Sequence, residues 1–134
     1  MQVQPYLFFH GRADEAIAFY QHAVGAQLGA LMRFEEAPGP SPVPDGWLDK
    51  VMHASLQIGE TEVFLSDGRG EHNAAFNGFS LHLTLRSVVA AEQAFAALAE
   101  EGRVEMPLEK TFWAQRFGML TDRFGVGWMV SCHG

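Results

Sequence analysis

TFWAQRFGMLTDRFGVGWMVSC, running from Thr111 to Cys132, is the stretch whose reading decides the fold: two apolar runs joined by the polar turn Thr121-Asp122-Arg123. Phe112, Trp113, Phe117, Met119, Trp128 and Val130 suit a pleated, half-buried surface, and Gly125 and Gly127 permit a bulge or a tight approach, so the stretch predicts a β-hairpin. Val51 to Ser66, VMHASLQIGETEVFLS, has the same layout, with two alternating runs meeting at Gly59-Glu60. Two such hairpins about sixty residues apart point to an internal duplication.

Working outward, each hairpin is preceded by a strand, a helix and a further strand. Residues 3 to 9, VQPYLFF, read as a strand whose Pro5 is tolerable at an edge or start. Ala13, Ala16, Ile17, Tyr20, Ala23 and Val24 then form a helical stripe, with Asp14 and Glu15 in the first turn and Gly25 as C-cap. Residues 27 to 35 return to strand character. In the second half, Phe79 to Arg86 alternates cleanly, Ser87 is a good N-cap, and Val88, Ala91, Ala94, Phe95 and Leu98 form an apolar stripe that ends before Gly102. Val104 to Lys110 supplies the next strand. Between the first half's outer strand and its hairpin lies APGPSPVPDGW, whose four prolines exclude a helix or a central strand. It reads either as a solvated extended loop or as a flap carrying Trp47 as a lid.

The expected class is α+β: two βαβββ modules forming one cupped, eight-stranded mixed sheet with helices on its outer face. Residues 1–134 form a single domain of two repeats, about 1–70 and 78–134, joined by a loop at 67–78. The helices cover the Met52, Ala54, Leu56, Ile58 and Leu81, Leu83, Leu85 rows. The opposite parity carries His53, Ser55 and Gln57 on one strand and Ser80, His82 and Thr84 on another, which suggests a wet cavity rather than a packed interior.

The formal net charge of −7 and the scattering of the nine basic residues disfavour nucleic-acid and anionic-membrane partners. No apolar run approaches the ~20 residues a spanning helix needs. MQVQPYLFFHGR lacks the features of a signal peptide, so a cytoplasmic location is expected. The single Cys132 excludes an intrachain disulfide and a Cys-based zinc cluster, and no motif supports it as a nucleophile. G-x-S-x-G, P-loop and Rossmann patterns are absent.

PYLFFHGRADEAIAFYQHAVGA, HASLQIGETEVFLSD and TFWAQRFGMLTDRFGVGWMV, in that order and at compatible spacing, resemble the vicinal oxygen chelate superfamily of glyoxalases, extradiol dioxygenases and antibiotic resistance proteins. Within it they look like the PhnB-like branch, sometimes labelled after demethylubiquinone methyltransferase, although no glycine-rich loop for S-adenosylmethionine is present. The resemblance implies a cupped sheet of paired modules and a homodimer. It also implies a divalent metal held by about four His or carboxylate ligands, and here the set is poorly matched. The first-strand position falls at Gln4 or Pro5, the fourth-strand position at Phe64, the fifth at Ser80 or His82, and the eighth at Met129. Only His82 is a ligand of the right chemistry, so no metal cofactor is expected, with His82 the one weak candidate.

His53 and His82 are candidates for general acid/base chemistry, the alternative being hydrogen-bonded polar groups in a half-buried sheet. Glu62 shares the parity of Phe64 and either enters the cavity or stays on its rim. Trp113, Phe117, Trp128 and Phe64 either sandwich a planar ligand or pack the core and a dimer contact. Gln115 and Arg116 have opposite parity, so one of them faces the cavity. The expected binding residues are therefore His53, Ser55, Phe64, Ser80, His82, Trp113, Gln115 and Met129, for a small aromatic or amphipathic ligand bound without the usual metal set. The alternative is a metal-assisted lyase, isomerase or dioxygenase-type enzyme using His82 with His53 or Glu62.

Overall fold

Each hairpin recognised in the sequence closes a sheet of its own. The computed structural model describes residues 1–39, 43–70 and 75–133. Pro40, Pro42, His72 and the middle of the expected 67–78 connection lie outside the described residues. The chain divides into two compact units, Met1–Asn73 and Ala74–Gly134. The first contains β1 (Tyr6–Phe8), α1 (Ala13–Val24), β2 (Gln27–Arg33), β3 (Val51–Ile58) and β4 (Thr61–Ser66). The second contains β5 (Leu81–Leu85), α2 (Val88–Ala99), β6 (Arg103–Glu109), β7 (Arg116–Thr121) and β8 (Gly127–Cys132). Strand orders are β1-β4-β3-β2 and β5-β8-β7-β6. In each sheet the first strand runs parallel to the last, and the remaining pairs are antiparallel. The α+β class and the two βαβββ modules are thus observed, in matching order.

In the first unit, Leu7, Leu65, Ala54, Leu56 and Val63 make up the buried row. Helix α1 packs on β3 and β2 and buries Ala13, Ala16, Ile17, Phe19 and Tyr20. Each fully buried leucine contributes about 2 kcal/mol through removal of apolar surface from water. The helix stops at Gly25, whose left-handed φ of 66° is the cap expected from the sequence. Its start is less conventional, because Arg12 at the N-cap supplies no side-chain acceptor. The acceptor comes instead from Asp67, fully buried just after β4. Asp67 Oδ1 accepts from the amides of Gly11 at 2.7 Å and Ala13 at 2.8 Å, while Oδ2 accepts from Val51 N at 2.9 Å. Three charge-assisted bonds offset the cost of burying the carboxylate and tie α1, β3 and β4 together.

Trp47 is 6% exposed, which removes it as a lid. Its indole nitrogen donates to Gly68 O at 2.9 Å. The ring also lies so close to Gly11 that a Cβ there would come within 3.3 Å of it. Lys50 Nζ reaches Gly11 O at 3.2 Å and sits 5.9 Å from the indole centroid. Trp47 therefore anchors the end of the proline-containing loop near the start of α1.

In the second unit, Ser87 Oγ accepts from Ala90 N at 3.0 Å, as its sequence position predicts. Helix α2 buries Ala91, Ala94, Phe95 and Leu98. It approaches β7 at Gly118, where a Cβ would stand 2.8 Å from the Phe95 ring and 2.9 Å from Leu108 Cα. Trp128 is paired with Leu120 in this helix-side row and is 2% exposed. It is a core residue and does not join Phe117 on the opposite face, so for Trp128 the core-packing reading of the aromatic set holds. Its indole nitrogen donates to Asp122 Oδ2 at 2.9 Å, and Asp122 Oδ1 accepts from Phe124 N at 2.9 Å and Val126 N at 3.1 Å.

Three strands are shorter than the alternation suggested. The 3–9 stretch pairs only over Tyr6–Phe8, and the 79–86 stretch only over Leu81–Leu85, which leaves Ser80 outside its strand. β7 begins at Arg116 because Thr111 Oγ1 accepts from Trp113 N and Ala114 N and closes a turn ahead of it. Parity arguments therefore do not extend to Trp113 and Gln115. No described helix is long and apolar enough to cross a membrane.

Candidate functional site

Each sheet has a face turned away from its helix, and the two faces differ in chemistry. In the first unit, the register places Tyr6 beside Phe64 and Phe64 beside Ser55. Tyr6 and Phe8 stack with centroids 5.2 Å apart and planes 20° apart. Tyr6 lies 5.8 Å from Phe64 and 5.6 Å from His53, and His53 lies 5.2 Å from Phe64. Tyr6 and Phe8 remain 42% and 45% exposed, so this aromatic group is presented rather than packed away. One polar contact runs through it, between Tyr6 Oη and His53 Nδ1 at 2.9 Å. Burial raises the Tyr6 phenol above its ordinary pKa.

His53 and Phe64 were singled out by sequence. Tyr6 and Phe8 were not, although their alternation in YLF and the parallel β1–β4 register carry the signal. Ser55 sits on this face but is only 7% exposed. Its Oγ accepts from Ala30 N at 2.9 Å and fills the space of the missing side chain at Gly29, where a Cβ would be 2.6 Å away. The hydroxyl is thus committed to the irregularity in β2. Glu62 accepts from Gln4 Nε2 at 2.8 Å.

In the second unit, His82 lies opposite Met129, and His82 Nε2 is 2.9 Å from the buried Ser131 Oγ. The imidazole lies 6.5 Å from the Phe117 ring, edge to face, and Phe117 is 5.5 Å from Trp113. Neither Gln115 nor Arg116 follows the expected either-or arrangement. Arg116 Nε is 3.7 Å from Glu92 on α2, and Gln115 Oε1 is 3.7 Å from Cys132 Sγ, whose strand position pairs with Arg116. An open groove of about 500 Å³ is lined by Ser80, one of the expected binding residues, with Phe76, Phe79, Arg103, Met119 and Thr121 among others. It exists partly because Gly127 is bare, since a Cβ there would stand 2.9 Å from Ser80 Oγ. His53 and His82 belong to different units, and each is engaged within its own.

The positions matching the superfamily's metal ligands do not fit a divalent cation. Phe64 offers a ring and no donor atom, and Met129 beside His82 offers a soft thioether. The Nε2 atom of His82 is already bonded to Ser131. Among the described residues no group of three or more His, Cys, Asp or Glu side chains is arranged to hold a metal ion.

Residues 2–130 match the profile of the Glyoxalase/Bleomycin resistance protein/Dioxygenase superfamily. Protein YjdN of Escherichia coli is 35% identical over 139 residues, covering 98% of this chain and 95% of YjdN. Among solved structures, protein PA1353 from Pseudomonas aeruginosa is 42% identical with a TM-score of 0.85, covering 99% and 98% of the two chains. A Bacillus cereus PhnB protein, described as a putative 3-demethylubiquinone-9 3-methyltransferase, is 27% identical with a TM-score of 0.81, covering 98% and 99%.

Proposed function

The chain belongs to the Glyoxalase/Bleomycin resistance protein/Dioxygenase superfamily, and from that premise we propose that it binds a small aromatic or amphipathic molecule without a tightly held catalytic metal. The observation that carries this reading is the group of exposed Tyr6 and Phe8 with half-buried His53 and Phe64 on the open face of the first sheet. A planar ligand stacked on such rings gains apolar burial together with offset or edge-to-face ring contacts. Phe64 and Met129 at the superfamily's metal positions, a ring and a soft thioether, support the metal-independent form of the reading.

The test is titration with 8-anilinonaphthalene-1-sulfonate, followed by fluorescence, in untagged protein dialysed against chelator. Binding is expected with and without chelator, and Phe64→Ala weakens it by about tenfold, as loss of one ring contact implies. Binding that vanishes in chelator and returns with added metal would instead favour the metal-assisted enzyme using His82. The same reading takes the protein as a cytoplasmic homodimer; sedimentation at micromolar concentration checks the assembly.

A further inference from the structure

The Tyr6–His53 contact adds something that a purely apolar floor lacks. Three protonation arrangements are compatible with a 2.9 Å contact between a phenol oxygen and Nδ1. When the phenol donates to Nδ1, the imidazole carries its proton on Nε2, which becomes the outward donor. When Nδ1–H donates to the phenol oxygen, the phenol O–H is the outward donor. When the imidazole is protonated on both nitrogens, both outward atoms donate. Every arrangement therefore leaves at least one N–H or O–H beyond the pair, beside a lone pair of the phenol oxygen. Neither the Tyr6 nor the His53 side chain makes a second hydrogen bond among the described residues, so none of those residues takes up that donor.

We infer that the Tyr6–His53 pair is a specificity element that donates a hydrogen bond to an acceptor oxygen on an aromatic ligand, selecting ring-bearing carbonyl compounds over the corresponding hydrocarbons. The geometry suits that class. Phe8 stacks on Tyr6, and Phe64 lies beside both Tyr6 and His53, so a flat ligand stacked on these rings has the pair's donor within reach of its carbonyl. A hydrocarbon of the same shape leaves the donor without a partner. This inference rests on the aromatic-ligand reading and extends it to the ligand's polar group.

The probes are 1-tetralone and tetralin, which share a fused ring skeleton and differ in the carbonyl. Their dissociation constants are compared by calorimetry on the full chain. The expected result is tetralone binding about tenfold tighter, the size of one directed hydrogen bond. In Tyr6→Phe/His53→Phe, which keeps rings at both positions and removes both polar atoms, the ratio falls to about one, whatever the change in affinity common to both probes. His53→Gln, which retains a donor amide, recovers part of the preference and guards against a loss caused by misfolding of the double variant. Equal binding of both probes to the unmodified protein overturns the inference and leaves the aromatic-ligand reading standing. A ratio that persists in the double variant does the same. Failure of both probes to bind overturns the two together.

Discussion

The two helices occupy the same place in the two modules but begin in different ways. Helix α2 is capped by its neighbour in sequence, Ser87, three residues from the amide it serves. Helix α1 is capped by Asp67, 54 residues away from Ala13, and the same carboxylate holds the first residue of β3. A local cap stabilises one helix end, whereas a remote one makes the helix, the hairpin and the end of the sheet depend on a single buried group. The duplicated topology therefore coexists with unequal wiring: the first module is closed through Asp67, and the second through its turn, where Asp122 serves two amides and an indole.

The contrast makes graded demands on mutants. Asp67→Ala strands three buried or part-buried amides at once and is expected to cost about 3–5 kcal/mol in urea denaturation. Hydrogen exchange should show α1 losing protection before α2. An effect below 1 kcal/mol would break the comparison outright. Asp122→Ala removes three bonds of the same kind, but all within one hairpin and none joining it to another element, so about 2–3 kcal/mol is expected. Its signature is deprotection confined to the β7–β8 turn. Ser87→Ala should cost about 1 kcal/mol, the ordinary value of a local cap, read as a lowered thermal midpoint. If it matches Asp67→Ala, locality is irrelevant to cap strength here.

The smallest effect concerns pH. Hydrogen bonds from Arg103 and then from Thr121 hold the Glu105 carboxyl below its ordinary pKa. Its folded-state pKa is depressed, so its contribution is present above the ordinary carboxylate range and fades as pH falls through the folded value. Thr121→Val should raise the Glu105 midpoint toward the ordinary value in a carboxyl-carbon NMR titration. An unmoved midpoint would assign the whole shift to Arg103.

Both helices, both hairpins and the Gly25 cap were legible in the sequence because each is encoded within a few residues: a stripe of period 3.6, a period of two, a glycine past the last turn. The Asp67 cap was not, since nothing near Asp67 announces that Gly11, Ala13 and Val51 will surround it. For the site, alternation placed His53 and Phe64 together on the open face. It left Trp128 open between ligand contact and core packing, because a bulky aromatic on the helix-side row looks the same in sequence as one on the open row. It failed at Gln115, which the Thr111 turn removes from the strand. Tyr6 escaped notice because its partner His53 lies 47 residues ahead, and only the parallel β1–β4 pairing together with the β3–β4 hairpin brings them close.

Of the chain's three tryptophans, Trp47 alone lies in the first unit, while Trp113 and Trp128 lie in the second. Trp47 is buried at the junction that Asp67 organises, against Gly11 and under the Gly68 carbonyl, so its emission reports on that junction alone. Paired Trp113→Phe and Trp128→Phe changes would leave a chain whose ultraviolet fluorescence follows one module, and Trp47→Phe would leave the complement. Nature has in effect given each half its own dye, and the order in which the halves melt can be read without attaching a label.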